Sequence, residues 1–341
     1  MQDSEQTHPL QAPRPVQQPV TLNPGQAEAF AATFERLAAA VDTVVLGKPD
    51  VVRLALTAMF AEGHILLEDV PGTGKTTLAR AIASAVSGQW RRIQFTPDLL
   101  PSDVSGVTIF NQGSGGFEFH PGPVFANIVI ADEINRASPK TQSALLEVME
   151  EGRVTVDGHP HSVPSPFVVV ATQNPVEMDG TYRLPEAQLD RFLVKLSVGY
   201  PVEAAEIEVL RGTHQRSPEN IPAVVDTDTV KQMAEVAKYV YIADPLYAYL
   251  VQLANATRGH PQVAVGVSPR GLIALTRAAS VYALSQGRTY IIPEDVKALA
   301  EPVFSHRIQL APDAAMRGAS GAGVVAEVFE SVPVPLPASA A

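Results

Sequence analysis

The feature that most constrains this chain is HILLEDVPGTGKTTLAR, residues 64–80, where an apolar run breaks into a glycine-rich turn and resumes as a helix. The run at 64–67 predicts a buried strand, and the spacing from Thr77 onward predicts an amphipathic helix. Between them lie Gly72, Thr73, Gly74, Lys75 and Thr76. Glycines in such a turn let backbone N–H groups close around phosphate oxygens, a lysine reaches the terminal phosphates, and a threonine hydroxyl can ligate Mg²⁺. With their flanks, Pro71 and Thr77, these are the candidate nucleotide-binding residues. The strict phosphate-loop pattern asks for glycine five residues before the second one, where this chain has Asp69. Taken alone, the stretch can also be an ordinary glycine-rich turn carrying a surface lysine.

Four more apolar runs follow: RRIQF, NIVIADE, FVVVATQNP and FLVKLSV. A strand that is apolar without interruption is covered on both faces, which predicts a parallel sheet between helices. After Pro201 the periodicity turns helical, broken by Pro and Gly, with no convincing strand. The expected fold class is therefore α/β. A disordered Gln- and Pro-rich arm at 1–24 precedes a nucleotide-binding core at 25–200, and a small all-helical domain with a short tail fills 201–341. Two segments within the core read as hairpins, GVTIFNQGSGGFEFHPGPVF and GRVTVDGHPHSV.

Composition narrows the function classes. Acidic residues outnumber basic ones by 36 to 25, a formal net charge of −11. That balance argues against nonspecific grip on nucleic acid or on an anionic membrane. No cysteine is present, which excludes disulfides, thiolate metal sites and cysteine nucleophiles. No apolar segment has the length of a membrane span and the N-terminus has no signal-peptide run, so a soluble cytoplasmic protein is expected, with no membrane insertion.

Further motifs supply chemistry. NIVIADEIN delivers Asp132 and Glu133 to the carboxyl end of a strand, where open α/β sheets bind ligands. Asp132 can hold Mg²⁺ and Glu133 can polarise the attacking water; two carboxylates favoured by a helix N-terminus are the plain alternative. Asn174 ends the strand in VVVATQNP, where its amide can bond the γ-phosphate and that water; an Asn-Pro turn is its alternative. Arg191, in YRLPEAQLDRF, is either a surface ion-pair former with Asp190 or Glu186, or a finger reaching the phosphates of a neighbouring subunit. In SPRGLIAL, Ser268 caps a helix, Pro269 opens it and Arg270 follows. A cation there opposes the helix dipole, so Arg270 should have an anionic partner.

The chain from about Gln26 to Leu310 resembles the MoxR-type AAA+ ATPases. The resemblance rests on FTPDLLPSDVSG, FHPGPVFANIVIADEINRASPKTQSALLEVMEEGRVTVDG and GTYRLPEAQLDRFLVKLSVGYP. It implies an AAA+ P-loop core with a five-stranded parallel sheet and a helical lid. It further implies Walker A at Gly72 to Thr76, Walker B at Asp132 and Glu133, sensor 1 at Asn174, an arginine finger at Arg191 and sensor 2 at Arg270. The two hairpins become the helix-2 insert and the pre-sensor-1 hairpin. By the same resemblance Val45, Leu46 and Gly47 would line the adenine pocket.

The implied function is a Mg²⁺-dependent ATP hydrolase, a homo-oligomer of hexameric type, with protein clients such as those carrying von Willebrand factor A domains. The alternative is an AAA+ nucleic-acid motor of the helicase or clamp-loader kind. A strand-tracking pore wants Lys or Arg on its loops. The first hairpin has neither and the second has only Arg153. A non-hydrolysing scaffold would lack Glu133 or Arg191, and a small-molecule kinase would need an acceptor pocket that no motif identifies.

Overall fold

The computed structural model describes residues 22–70, 72–174, 182, 184–212 and 217–335. The expected arm lies outside the described residues up to position 21, as does Pro71. The described chain opens with two helices, α1 (Pro24–Asp42) and α2 (Pro49–Phe60). Asn23 starts α1 by accepting from the Gln26 amide at 2.9 Å, while the Gln26 side chain accepts from the Asn23 amide at 3.0 Å. Two orphan donors of the first turn are satisfied by residues three apart.

Next come β1 (His64–Glu68), α3 (Lys75–Ala85), β2 (Trp90–Gln94), α4 (Pro101–Ser105) and a hairpin of β3 (Gly106–Asn111) and β4 (Gly116–Pro121). They are followed by β5 (Ile128–Asp132), α5 (Pro139–Glu151), a second hairpin of β6 (Arg153–Val156) and β7 (His159–Ser162), then β8 (Val168–Gln173), α6 (Glu186–Leu189) and β9 (Phe192–Leu196). Five strands form one sheet in the order β2-β5-β8-β1-β9, parallel throughout. The five apolar runs of the sequence are these five strands.

Alternation along each strand explains why the runs are apolar without a break. Ile65, Leu67, Ile128, Ile130, Val168 and Val170 face one apolar core, while Leu66, Val129, Ala131, Val169 and Ala171 face another on the opposite side. The edge strand β2 is the exception. Its Arg91, Arg92 and Gln94 are exposed, which blunts an edge that would otherwise invite pairing. The two hairpins pack together, with the Phe119 ring stacked on His161 at 3.9 Å between centroids.

The remaining elements are α7 (Glu203–Gly212), α8 (Thr227–Ala237), α9 (Asp244–Arg258), β10 (Val263–Val265), α10 (Pro269–Ser285), α11 (Pro293–Phe304), β11 (Gln309–Leu310), α12 (Pro312–Met316) and α13 (Gly321–Ser331). This part is helical, as expected, with one correction: β10 and β11 pair antiparallel. Strands of three and two residues are too short to leave an alternation in the sequence. The first apolar core continues from the sheet through Leu275, Leu299, Val303 and Val324, so these helices share it.

Candidate active site

Strand order places the motifs. β5, β8 and β1 are neighbours, so the residues at their carboxyl ends converge: Asp132 and Glu133 after β5, Asn174 after β8, and the glycine-rich loop after β1. Gly72 and Gly74 adopt φ of 85° and 89°, left-handed backbone that glycine enters without steric cost. Gly74 leads directly into Lys75, the first residue of α3.

The Lys75 ammonium donates to the carbonyls of Asp69 at 2.6 Å and Val70 at 2.9 Å, and to Asn174 Oδ1 at 3.3 Å. Burial lowers its pKa, opposed by the charges of Asp69, Asp132 and Glu133. It is a cation held against the glycine-rich loop that leads into α3. Thr73 is buried beside it.

Thr76 Oγ1 lies 3.3 and 3.4 Å from the two Asp132 carboxylate oxygens. The Thr172 hydroxyl donates to Asp132 at 3.2 Å and accepts from the Glu133 amide at 3.0 Å, which fixes both acidic residues. A hydroxyl beside a carboxylate is an oxygen donor set that suits Mg²⁺. Among the described residues no cluster of three or more His, Cys, Asp or Glu can hold a metal. An ion at Thr76 and Asp132 would therefore complete its shell from phosphate and water, as Mg²⁺ commonly does.

Glu133 has a φ of 55°, a left-handed backbone that is costly for a residue with a Cβ and typical of functional positions. Its carboxylate accepts from Gln94 and from Arg136, each at 2.9 Å, and lies 3.5 Å from the Asn174 amide nitrogen. On β2, Arg92 Nε pairs with Asp132 Oδ2 at 2.5 Å and its Nη2 donates to Gln94 at 3.2 Å. Sequence reasoning missed Arg92, Gln94 and Arg136. The available signal was the alternation of Arg92 and Gln94 on an edge strand, with Gln94 in register with Asp132.

Asp69, the departure from the strict pattern, fastens the loop. Its carboxylate accepts from the Val70 amide at 2.9 Å, the Ser197 hydroxyl at 3.1 Å and the Gly199 amide. Burial raises its pKa, but these amides, the hydroxyl and the nearby Lys75 outweigh it and hold the carboxyl below its ordinary range. A cleft of about 310 Å³ adjoins the loop, lined by Val44, Val45, Leu46, Thr77, Val198 and Pro201 as well as the loop glycines. Gly47 lies beside this wall: its φ is 70°, and a Cβ there would come within 2.9 Å of the Ala205 Cβ.

Arg191 and Arg270 are elsewhere. Phe192 is in register with His64, the first residue of β1, whereas the phosphate loop follows its last, Glu68. At about 3.3 Å per residue, β1 alone puts about 13 Å between those ends. Arg191 pairs with Glu150 at 3.0 Å through Nε and 2.9 Å through Nη2. Its own-surface partner is thus neither Asp190 nor Glu186, because Asp190 is engaged by Arg307 at 2.8 Å. The anion expected for Arg270 is the same carboxylate, at 2.8 Å. Arg191 and then Arg270 hold the Glu150 carboxyl below its ordinary value.

A glycine-rich loop leading into a helix through a lysine, a paired hydroxyl and carboxylate, and a second acidic residue at adjoining strand ends are the layout of a P-loop nucleotide hydrolase. The family model described as ATPase family associated with various cellular activities (AAA) matches residues 64–194, and that of an AAA lid domain matches 255–328. The chain is 41% identical to chaperone MoxR1 of Mycobacterium tuberculosis, over 92% of this chain and 86% of that one. It is 50% identical to the uncharacterized protein YeaC of Bacillus subtilis, over 88% and 94%. A crystal structure of a candidate ATPase from Cytophaga hutchinsonii superposes with a TM-score of 0.85 at 36% identity, covering 92% of this chain and 98% of that one. The chain belongs to the MoxR family of AAA+ ATPases.

Proposed function

We propose that this protein hydrolyses Mg²⁺-bound ATP at the interfaces of a homo-oligomeric ring, of hexameric type, and uses the cycle to remodel or activate partner protein complexes. The observation that carries the ring reading is the separation of its parts: Lys75, Asp132, Glu133 and Asn174 stand at one end of the sheet, and Arg191 at the other. Arg191 cannot reach its own phosphate loop, so a role for it in hydrolysis requires the loop of another subunit. Arg270 shares Glu150 with Arg191 and serves the same neighbouring nucleotide.

Within each site, Lys75 and the loop amides bind the phosphates, Thr76 and Asp132 hold Mg²⁺, and Glu133 orients water with Asn174. The bound ion neutralises charge that develops on the phosphoryl oxygens. Gln94 and Arg136 keep Glu133 aimed. The cleft beside Val45 and Leu46 takes the base.

Protein clients fit the surface better than nucleic acid. The β3–β4 hairpin exposes Ile109, Phe110 and Phe117 and carries no Lys or Arg. Arg153, the basic residue of the second hairpin, is neutralised by Glu151 at 3.0 Å. Partners with von Willebrand factor A domains are the client class the MoxR resemblance implies. Among the described residues no helix is long and apolar enough to cross a membrane; the proposed site of action is the cytoplasm. The test is ATP turnover per subunit across a protein concentration series, with Mg²⁺ or with EDTA, alongside particle mass. Turnover should need Mg²⁺ and rise as a ring assembles; full turnover by a monomer overturns the reading.

A further inference from the structure

Arg307 is a cation that the hydrolytic site does not use, and it is nearly removed from water, with 2% of its side chain exposed. Burial lowers its pKa to about 10, against the pull of Asp190, so it stays charged at neutral pH. Four of the guanidinium's hydrogen bonds go to residues that bracket Arg191. Nε donates to Asp190 Oδ1 at 2.8 Å, Nη2 to the carbonyls of Asp190 at 3.1 Å and Phe192 at 2.7 Å, and Nη1 to the Leu193 carbonyl at 3.1 Å. Nη1 also reaches the Val303 carbonyl, back on α11. His306 Nε2 lies 3.1 Å from the Phe192 carbonyl.

The other side of Arg307 meets the helix that carries Arg270. A Cβ on Gly271 would come within 2.9 Å of Arg307 Cδ, so glycine follows Arg270 where the Arg307 stem must pass. Ser268, which caps that helix by accepting from the Gly271 amide at 3.2 Å, also donates to Asp190 Oδ2 at 3.4 Å. One planar fork therefore spans the turn bearing Arg191 and packs on the first turn bearing Arg270.

We propose that Arg307 is a positioning residue for hydrolysis: it locks the Arg191 turn to the start of α10, so that the helical region sets where both arginines are presented to a neighbouring subunit. The inference rests on the reading of Arg191 as acting on another subunit's nucleotide. A guanidinium suits the task because five donors in a fixed plane can hold several carbonyls and a carboxylate at once. A lysine offers one charge without the fork.

The test is Arg307→Lys, measured for ATP affinity, for turnover alone and for turnover mixed with Lys75→Ala subunits, with Arg191→Ala treated in parallel. Arg307→Lys should bind ATP as wild type does, because its own phosphate loop is untouched. Its kcat alone should fall about 10²-fold, the scale of a misplacement of about 1 Å. Mixing with Lys75→Ala should restore turnover, since those subunits keep both arginines and Arg307. A purely structural role would instead lower ATP affinity and thermal stability together, with no rescue.

Wild-type kcat for Arg307→Lys, or a loss that mixing fails to restore while Arg191→Ala is restored, overturns the inference. A wild-type rate for Arg191→Ala overturns the underlying reading as well. Should Arg307→Lys not fold, Asp190→Asn removes the paired charge at constant shape and is read the same way. Its donor-side loss supports the inference and its full activity overturns it.

Discussion

Phe192 stands beside His64 in the sheet, at the start of the strand whose other end carries the phosphate loop. That pairing separates Arg191 from the nucleotide its own subunit binds. The proposed part of Arg191 in hydrolysis therefore calls for the phosphate loop of a second chain.

Within one subunit, binding and hydrolysis should come apart. Lys75→Ala removes the charge that meets the terminal phosphates and should abolish ATP binding. Glu133→Gln keeps Thr76 and Asp132 and should bind ATP normally while losing at least about 10²-fold in turnover, the usual worth of a general base. Titration with a fluorescent ATP analogue and a steady-state phosphate assay separate the two; equal affinity in Lys75→Ala and wild type would count against the loop assignment.

Restoring the strict phosphate-loop pattern with Asp69→Gly should harm the protein. The Asp69 carboxylate joins the loop to Ser197 and Gly199 at the end of β9, and removing it gives up these bonds, each worth about 0.5–1.5 kcal/mol net. The Kd for ATP should rise, and calorimetric titration against wild type checks it. An unchanged or lower Kd would show that the fastening does not shape the loop.

Acid should weaken the fold through His64. Its Nδ1 accepts from the Val169 amide at 3.1 Å, so Nε2 carries the proton and donates to the Met149 carbonyl at 3.0 Å. Burial, aided by the charge of Arg277, drives its pKa to about 4. The unfolded chain binds this proton near pH 6.5, so stability is complete above that value and is lost as pH falls toward 4. Between pH 7.5 and pH 5 the loss from this group is about 2 kcal/mol. Buried His306, pushed the same way by burial and by Arg307, adds to the slope. Urea unfolding of wild type and His64→Leu at both pH values isolates the His64 share, because the variant's constant deficit cancels. An equal pH slope in the two proteins would contradict the assignment.

Nucleic acid should bind weakly. Several phosphate contacts are needed for tight, salt-sensitive binding, and a chain of net charge −11 with no cation on the β3–β4 hairpin does not offer them. Fluorescence anisotropy with single-stranded DNA and RNA should show no micromolar binding at physiological salt. Affinity at that level, falling steeply with added salt, would favour a nucleic-acid motor.

Much of this was legible in the sequence because its signals are local. Five apolar runs gave five strands, and the two hairpins announced themselves by alternation around glycines. Gly74, Lys75, Thr76, Asp132 and Glu133 form motifs whose members are close in the chain or end neighbouring strands. The illegible part is long-range. Glu150 is an unremarkable acidic residue near the end of a helix until folding brings Arg191 and Arg270 to it from 41 and 120 residues away. Arg307 reaches back across 117 residues to Asp190. No spacing rule reports such pairs, and β10 and β11 are too short for periodicity to register.

The most direct measurement of the central claim is ATP turnover by Arg191→Ala, Lys75→Ala and their mixture, over a concentration series, with mixed assembly verified by differently tagged subunits. Arg191→Ala should bind ATP normally, and alone it should lose about 10³ to 10⁵ in rate, the contribution of an arginine finger. Lys75→Ala should be inactive alone. The mixture should regain measurable turnover, because each intact phosphate loop can then face an intact Arg191. A wild-type rate for Arg191→Ala alone, as expected if its exposed pair with Glu150 is worth only about 0 to 1 kcal/mol of structure, would contradict the account. So would the absence of recovery in verified mixed assemblies.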